Sequence, residues 1–176
     1  MSTDNPFLIG DEPGVSPQIS GLIGMFRYAR KTTLETVAGL SVKDLDHLQD
    51  PDSNSIGGLL YHMAAAEAWY QSNTFDRREW TPAESARWQV ALELGPGART
   101  QIRERPLDYY VGQLAEVRSR TEQELRARDD DWLAESGPFF PGYPANNYWK
   151  WFHVCEDEIN HRGQIRWLRK RLPGVD

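Results

Sequence analysis

Four stretches of this chain carry apolar residues at intervals of three and four, and each is bracketed by residues that start or stop a helix. That spacing is the period of an α-helix with one buried face, and it leaves few ways to build a core other than helix against helix. The first run is Ile19, Leu22, Ile23, Phe26, Thr33, Leu34 and Val37, behind Ser16-Pro17, an N-cap followed by proline at the first helical position. It predicts a helix over about 17–38. Ile56, Leu59, Leu60, Met63, Ala66 and Tyr70 mark a second, over about 55–74, capped by Asn54 or Ser55. Leu107 to Leu125 mark a third, over about 106–128, opened by Pro106. The last starts at Asn146 or Asn147 and runs to about Arg171, where Pro173-Gly174 stops it.

Shorter signals fill the connections. Ser41 with Asp44 resembles a capping box and predicts a brief helical turn through Leu48. Thr81-Pro82-Ala83-Glu84 is a full capping box and predicts a short extra helix over about 82–93, closed by Gly95-Pro96-Gly97 and placed like an insertion between the second and third long helices. Residues 129–145, rich in Asp, Pro, Gly and aromatics, read as a long aromatic loop. Residues 1–15 read as loosely ordered. With little strand signal and no linker, the expected architecture is all-α: one four-helix-bundle domain over 1–176.

The bulk properties exclude several functions. A formal net charge of −6 argues against nucleic-acid binding. No apolar stretch approaches the length that spans a bilayer, so no membrane partner is expected. A single cysteine, Cys155, forms no internal disulfide, and no signal peptide is visible, so the expected compartment is the cytoplasm. There is no nucleophilic-serine motif and no Gly-rich phosphate loop.

The chemistry gathers on the last helix. His153, Asp157, His161 and Gln164 follow at spacings of four, four and three, which places them on one stripe. A bundle helix normally fills its inward stripe with Leu, Ile or Val. Apolar residues such as Trp149, Phe152, Ile159, Ile165 and Trp167 are spread round this helix, so the polar stripe is expected to be at least partly inside, where ionisable groups need partners. Two donors one turn apart can clasp a metal ion. Asp157 with His161 fits that geometry, and so does His153 with Asp157. The best third ligand is His62, on the second helix, because His47 lies in a polar, loop-like segment. Two imidazoles and a carboxylate suit Zn, Ni, Fe(II) or Mn, and three protein ligands leave a position for water or substrate. His153 is then a candidate for orienting a ligand or the bound water. Glu67, five residues past His62, is rotated away from it and is expected to pair with a cation on another helix. Cys155 should face away from the ion, as a small buried residue. Trp132, Phe139, Phe140, Tyr143 and Trp149 are candidates for a lid or apolar wall. The competing reading is a solvated helix face with no ion.

The segment Asn54-Ser-Ile-Gly-Gly-Leu-Leu-Tyr-His62-Met-Ala-Ala-Ala-Glu67, followed far downstream by His153-Val-Cys-Glu-Asp157-Glu-Ile-Asn-His161-Arg-Gly-Gln-Ile165, resembles the DinB/YfiT-like metalloprotein superfamily. The resemblance extends over most of the chain, with His-Arg-Gly-Gln-Ile its most specific part. It implies a four-helix bundle with a divalent ion held by one residue of the second helix and two of the last, which fall on His62, Asp157 and His161. The family usually has histidine where this chain has Asp157, and Glu158 is the nearest substitute ligand. The resemblance further implies thiol-dependent chemistry on a small-molecule substrate, an S-transferase using a low-molecular-weight thiol or a metal-dependent hydrolase, and often a homodimer. The alternative is a non-catalytic metal- or ligand-binding bundle of the stress response.

Overall fold

The computed structural model describes residues 5–140 and 142–174, with Phe140 described by its backbone alone. Its long helices are α1 (Pro17–Val37), α3 (Ile56–Gln71), α6 (Leu107–Arg126) and α8 (Asn147–Arg169). Between them lie α2 (Val42–Asp46), α4 (Pro82–Glu93), α5 (Gly95–Gln101), α7 (Asp130–Ala134) and a hairpin of β1 (Ser136–Phe140) and β2 (Tyr143–Asn146). In the bundle α1 packs on α6 and α8, and α3 packs on the same two, so each long helix touches two others. The fold is the expected all-α bundle.

The caps explain where the helices begin. Ser55 accepts a bond from the Gly58 amide (3.0 Å) to open α3, and Asn146 accepts one from Trp149 (2.8 Å) to open α8. The boxes of Ser41 with Asp44 and Thr81 with Glu84 both close. Ser16 behaves differently from its sequence expectation, because its side chain donates instead of capping. The carboxylate of Asp130, from α7, accepts from Ser16 Oγ (2.6 Å), Gln18 N (3.1 Å) and Ile19 N (3.2 Å). A residue more than a hundred positions away therefore satisfies the orphan amides of α1 and complements its dipole.

The 129–145 segment is not the irregular loop its composition predicts. It contains α7, capped by Asp129, and the antiparallel hairpin, in which Ser136 pairs with Asn146 and Pro138 with Pro144. Both prolines sit in a two-stranded ribbon, where every strand is an edge and a missing donor is tolerated. Gly95-Pro96-Gly97 also departs from expectation: it opens α5, with proline at the start. Residues 5–15 form neither helix nor strand, yet Glu12 ties them down through Arg27 and Arg126. Residues 1–4, part of the segment read as loose, lie outside the described residues.

α3 is buried almost throughout and carries the site. Gly57 lets it approach α6 closely: a Cβ there would lie 2.9 Å from the ring of the buried Tyr110. After Gln71 the helix widens into a π-helical turn, Ser72–Asp76, which ends at Arg77 in the left-handed region (φ 54°).

Four buried charges of the core form one cluster across all four long helices. Arg118 (α6) donates to Glu67 on α3 (2.8 Å) and Glu158 on α8 (2.9 Å), and Arg30 (α1) donates to Glu158 (2.8 Å) and Glu67 (3.2 Å). Backbone carbonyls of Phe26 and Leu114 take further guanidinium donors. Glu67 thus has the cationic partner on another helix that its rotation predicted.

Candidate metal centre

His62 lies on α3 two turns before Tyr70, while Asp157 and His161 lie one turn apart on α8. Packing of α3 on α8 brings the three together. One donor atom from each falls within 4.8 Å of the others. His161 Nε2 is 3.2 Å and His62 Nε2 3.7 Å from the same Asp157 oxygen, and the two imidazoles cross edge to face at 4.7 Å. Side-chain exposures of 13%, 19% and 12% leave the trio mostly enclosed but reachable from solvent.

The electrostatics follow from that crowding. Burial alone would raise the Asp157 pKa, but hydrogen bonds and charge from His161 and His62 outweigh it and hold the carboxyl well below the usual carboxylate range. Burial would likewise lower the His62 pKa, and the Asp157 contacts overcome that and raise it above the ordinary histidine value.

The donor set fits a divalent cation. His62 Nδ1 is 2.9 Å from the Ala91 carbonyl of α4. A carbonyl only accepts, so Nδ1 carries the proton and the Nε2 lone pair is free to face an ion once Nε2 is deprotonated. His161 Nδ1 is buried and has no hydrogen-bond partner among the described residues. Two imidazoles and an ionised carboxylate around one point are the ligands that Zn, Ni, Fe(II) and Mn accept. The Ala91 acceptor was not legible in the sequence, where α4 reads as an insertion.

The other expected residues separate clearly. His153 is bonded through Nδ1 to Glu156 (3.1 Å) and stacked on Trp149 (5.2 Å, 7°), and among the described residues it makes no hydrogen bond to the trio. Glu158 points into the arginine cluster, so it is not a substitute ligand. His47 sits at the C-terminal end of α2, outside the trio. Cys155 is buried in a core cluster to which all four long helices contribute, and burial pushes its thiol up to about 11, so it does not supply a thiolate.

Of the aromatic candidates, Phe139 and Trp149 pack together beside α3. Phe139 packs on Trp69 (5.9 Å), Tyr70 (6.1 Å) and Trp149 (5.2 Å), and Tyr70 also meets His153 (6.0 Å). These form a wall one turn of α8 away from Asp157. Trp132 belongs to the core, stacked on Phe75, and Tyr143 is 76% exposed. The side chain of Phe140 lies outside the described residues. Trp69 and Tyr70 come from α3, where Tyr70 lies on the apolar stripe read from the sequence.

A helical bundle with this trio across its second and last long helices has the architecture of DinB/YfiT-like proteins. The mycothiol-S-transferase family model matches residues 21–174, and the chain belongs to that family. Among solved structures it is similar to one described as the crystal structure of the conserved protein of locus from Enterococcus faecalis, with a TM-score of 0.71 at 16% identity, covering 87% of this chain and 95% of that one. At that identity the likeness concerns the fold. No curated protein matches the chain.

Proposed function

We propose that this protein joins a low-molecular-weight thiol, mycothiol in the family's name, to a small electrophile at a divalent-metal centre held by His62, Asp157 and His161. The observation that carries the reading is the convergence of three donor atoms from two helices within 4.8 Å. A divalent ion there supplies Lewis-acid stabilisation of a thiolate at neutral pH. Ala91 fixes the His62 ring so that Nε2 faces the centre. Asp157 contributes the negative charge that partly offsets the ion's. The aromatic faces of Tyr70, Phe139 and Trp149 are offered to the electrophile beside His153. Transfer forms one carbon–sulfur bond and expels the leaving group with its electron pair, and the thiol's proton passes to solvent through the exposed edge of the trio.

Elemental analysis of protein purified without chelators, paired with a mycothiol conjugation assay, tests this. One equivalent of metal and measurable conjugation are expected, with both lost in His62→Ala and His161→Ala. Full metal content in either variant overturns the site. Metal without conjugation leaves a metal-binding bundle and overturns the transferase reading.

A further inference from the structure

Lys150 stands apart from the other buried cations. Arg30 and Arg118 are each matched by two carboxylates. Lys150, on the first turn of α8, is only 6% exposed, yet its ammonium meets one neutral oxygen, Asn73 Oδ1 at 3.0 Å, and the ring of Phe139 at 5.5 Å. No carboxylate pairs with it among the described residues. An ammonium carries several donors, and one oxygen leaves the others unanswered. Burying a charge in that state is costly unless something pairs with it. The desolvation also pulls the ammonium's pKa below that of an ordinary lysine.

The side chain opens on a cleft of about 470 Å³ between the π-helical turn and β1, lined also by Asn73, Arg77, Arg78, Gly137 and Asn147. That is the size of a small-molecule site. Arg77 and Arg78 add positive charge, and two carboxylates, Glu79 and Glu135, share the rim. Glu135 is bonded to Arg77 at the exposed edge (2.5 Å), and Arg78 is held by Glu84 (2.7 Å). None of these acids reaches the lysine. The π-helical turn places both Asn73 and Arg77: it widens α3 just where Asn73 must meet Lys150, and it ends on Arg77 in the left-handed conformation. Widened turns of this kind are frequent at functional sites.

We infer that this cleft is a second binding site, specific for a small anion with carboxylate or phosphate oxygens, and that Lys150 is its central ligand. The oxygens complete the lysine's hydrogen bonding, while the guanidinium groups at the rim are already matched by Glu135 and Glu84. Lys150 precedes Asp157 by seven residues, about 10 Å along α8, so the inference stands whether or not the trio binds metal.

Isothermal titration of the full chain with inorganic phosphate and, separately, acetate tests it, using the wild type, Lys150→Met and Asn73→Asp. Saturable one-site binding to the wild type is expected, weakened by about tenfold or more in both variants, the loss of one charge-assisted bond. Asn73→Asp keeps the lysine and places a carboxylate against it, so that variant decides the matter if Lys150→Met does not fold by circular dichroism. Binding of phosphate alone, acetate alone or both identifies the oxygen chemistry accepted. Absence of saturable binding by either anion, or undiminished binding to folded Lys150→Met or, failing that, to Asn73→Asp, overturns the inference.

Discussion

Replacing Arg118 by methionine should be among the most damaging single changes in this protein, and a second substitution should partly repair it. The four charges of Arg30, Arg118, Glu67 and Glu158 sum to zero, and no side chain among them is more than 10% exposed. Arg118→Met retains volume beside Phe26, whose ring the guanidinium covers at 4.6 Å, but leaves two carboxylates sharing Arg30. Breaking a buried pair from one side costs about 3–5 kcal/mol, because the stranded charge is left desolvated. At roughly 2–4 °C per kcal/mol for a domain of this size, Tm should fall by roughly 6–20 °C. Adding Glu67→Gln restores neutrality and leaves Arg30 bonded to Glu158 at 2.8 Å. The double variant should therefore be more stable than Arg118→Met alone, by about 1 kcal/mol or more. Urea unfolding of the wild type, both single variants and the double gives the full cycle. A loss below about 1 kcal/mol for Arg118→Met would mean the charges are effectively solvated, and strictly additive losses would refute the neutrality argument.

Gly57→Ala should destabilise the fold by about 1–3 kcal/mol, read by chemical unfolding, because the new methyl must displace backbone or the ring of Tyr110. Asp130→Ala should cost about 0.5–2 kcal/mol by removing the remote cap of α1, with hydrogen exchange rising first at its N-terminal amides. Metal-free protein and zinc-loaded protein should respond to pH with opposite signs. The raised pKa of His62 contributes stability that is complete below its unfolded value of about 6.5 and is lost as pH climbs through the folded one. The depressed pKa of Asp157 contributes stability present above about 3.9 and lost only as pH falls through its folded value, so it does not change sign near neutrality. Zinc requires His62 to give up its Nε2 proton, so the stabilisation zinc adds should grow over the range in which the metal-free protein weakens. Thermal scans with chelator and with zinc between about pH 6 and 8 check both limbs, and parallel curves would dismiss ligation by His62.

How much of this was legible in the chain depends on how local the determinant is. Asp157 and His161 sit one turn apart on one helix, a relation that sequence spacing states directly, and the histidine of α3 was the natural third partner. Glu67 was readable as paired because its rotation from His62 is fixed by helical geometry. The arginines that meet it were not, since Arg30 and Arg118 carry no local mark distinguishing them from surface arginines. Glu158 was readable only as rotated by one residue from the stripe, with nothing local to say that two arginines hold it. The hairpin and α5 were missed for a different reason: proline and glycine signal interruption, and the same residues also open a helix or sit in a two-stranded ribbon. Asp130 capping α1 is a contact of long sequence separation, which no window of local sequence contains.

The arginine cluster and the candidate centre bear on each other through chain geometry. Asp157 and Glu158 are adjacent on α8, and His62 and Glu67 are a little over one turn apart on α3. Consecutive helical positions point in different directions, so one residue of each pair serves the cluster while the other serves the trio. Arg30 and Arg118 pin Glu67 and Glu158 from α1 and α6 with several bonds of fixed guanidinium geometry. A slide of α3 along α8 by even one residue, about 1.5 Å, would break these bonds together. The ionic core therefore sets the helix register that brings His62 to Asp157, and Arg118→Met should disturb metal affinity even at temperatures where the variant remains folded. Unchanged zinc affinity in folded Arg118→Met would show that apolar packing of α3 on α8 sets that register without help from the charges.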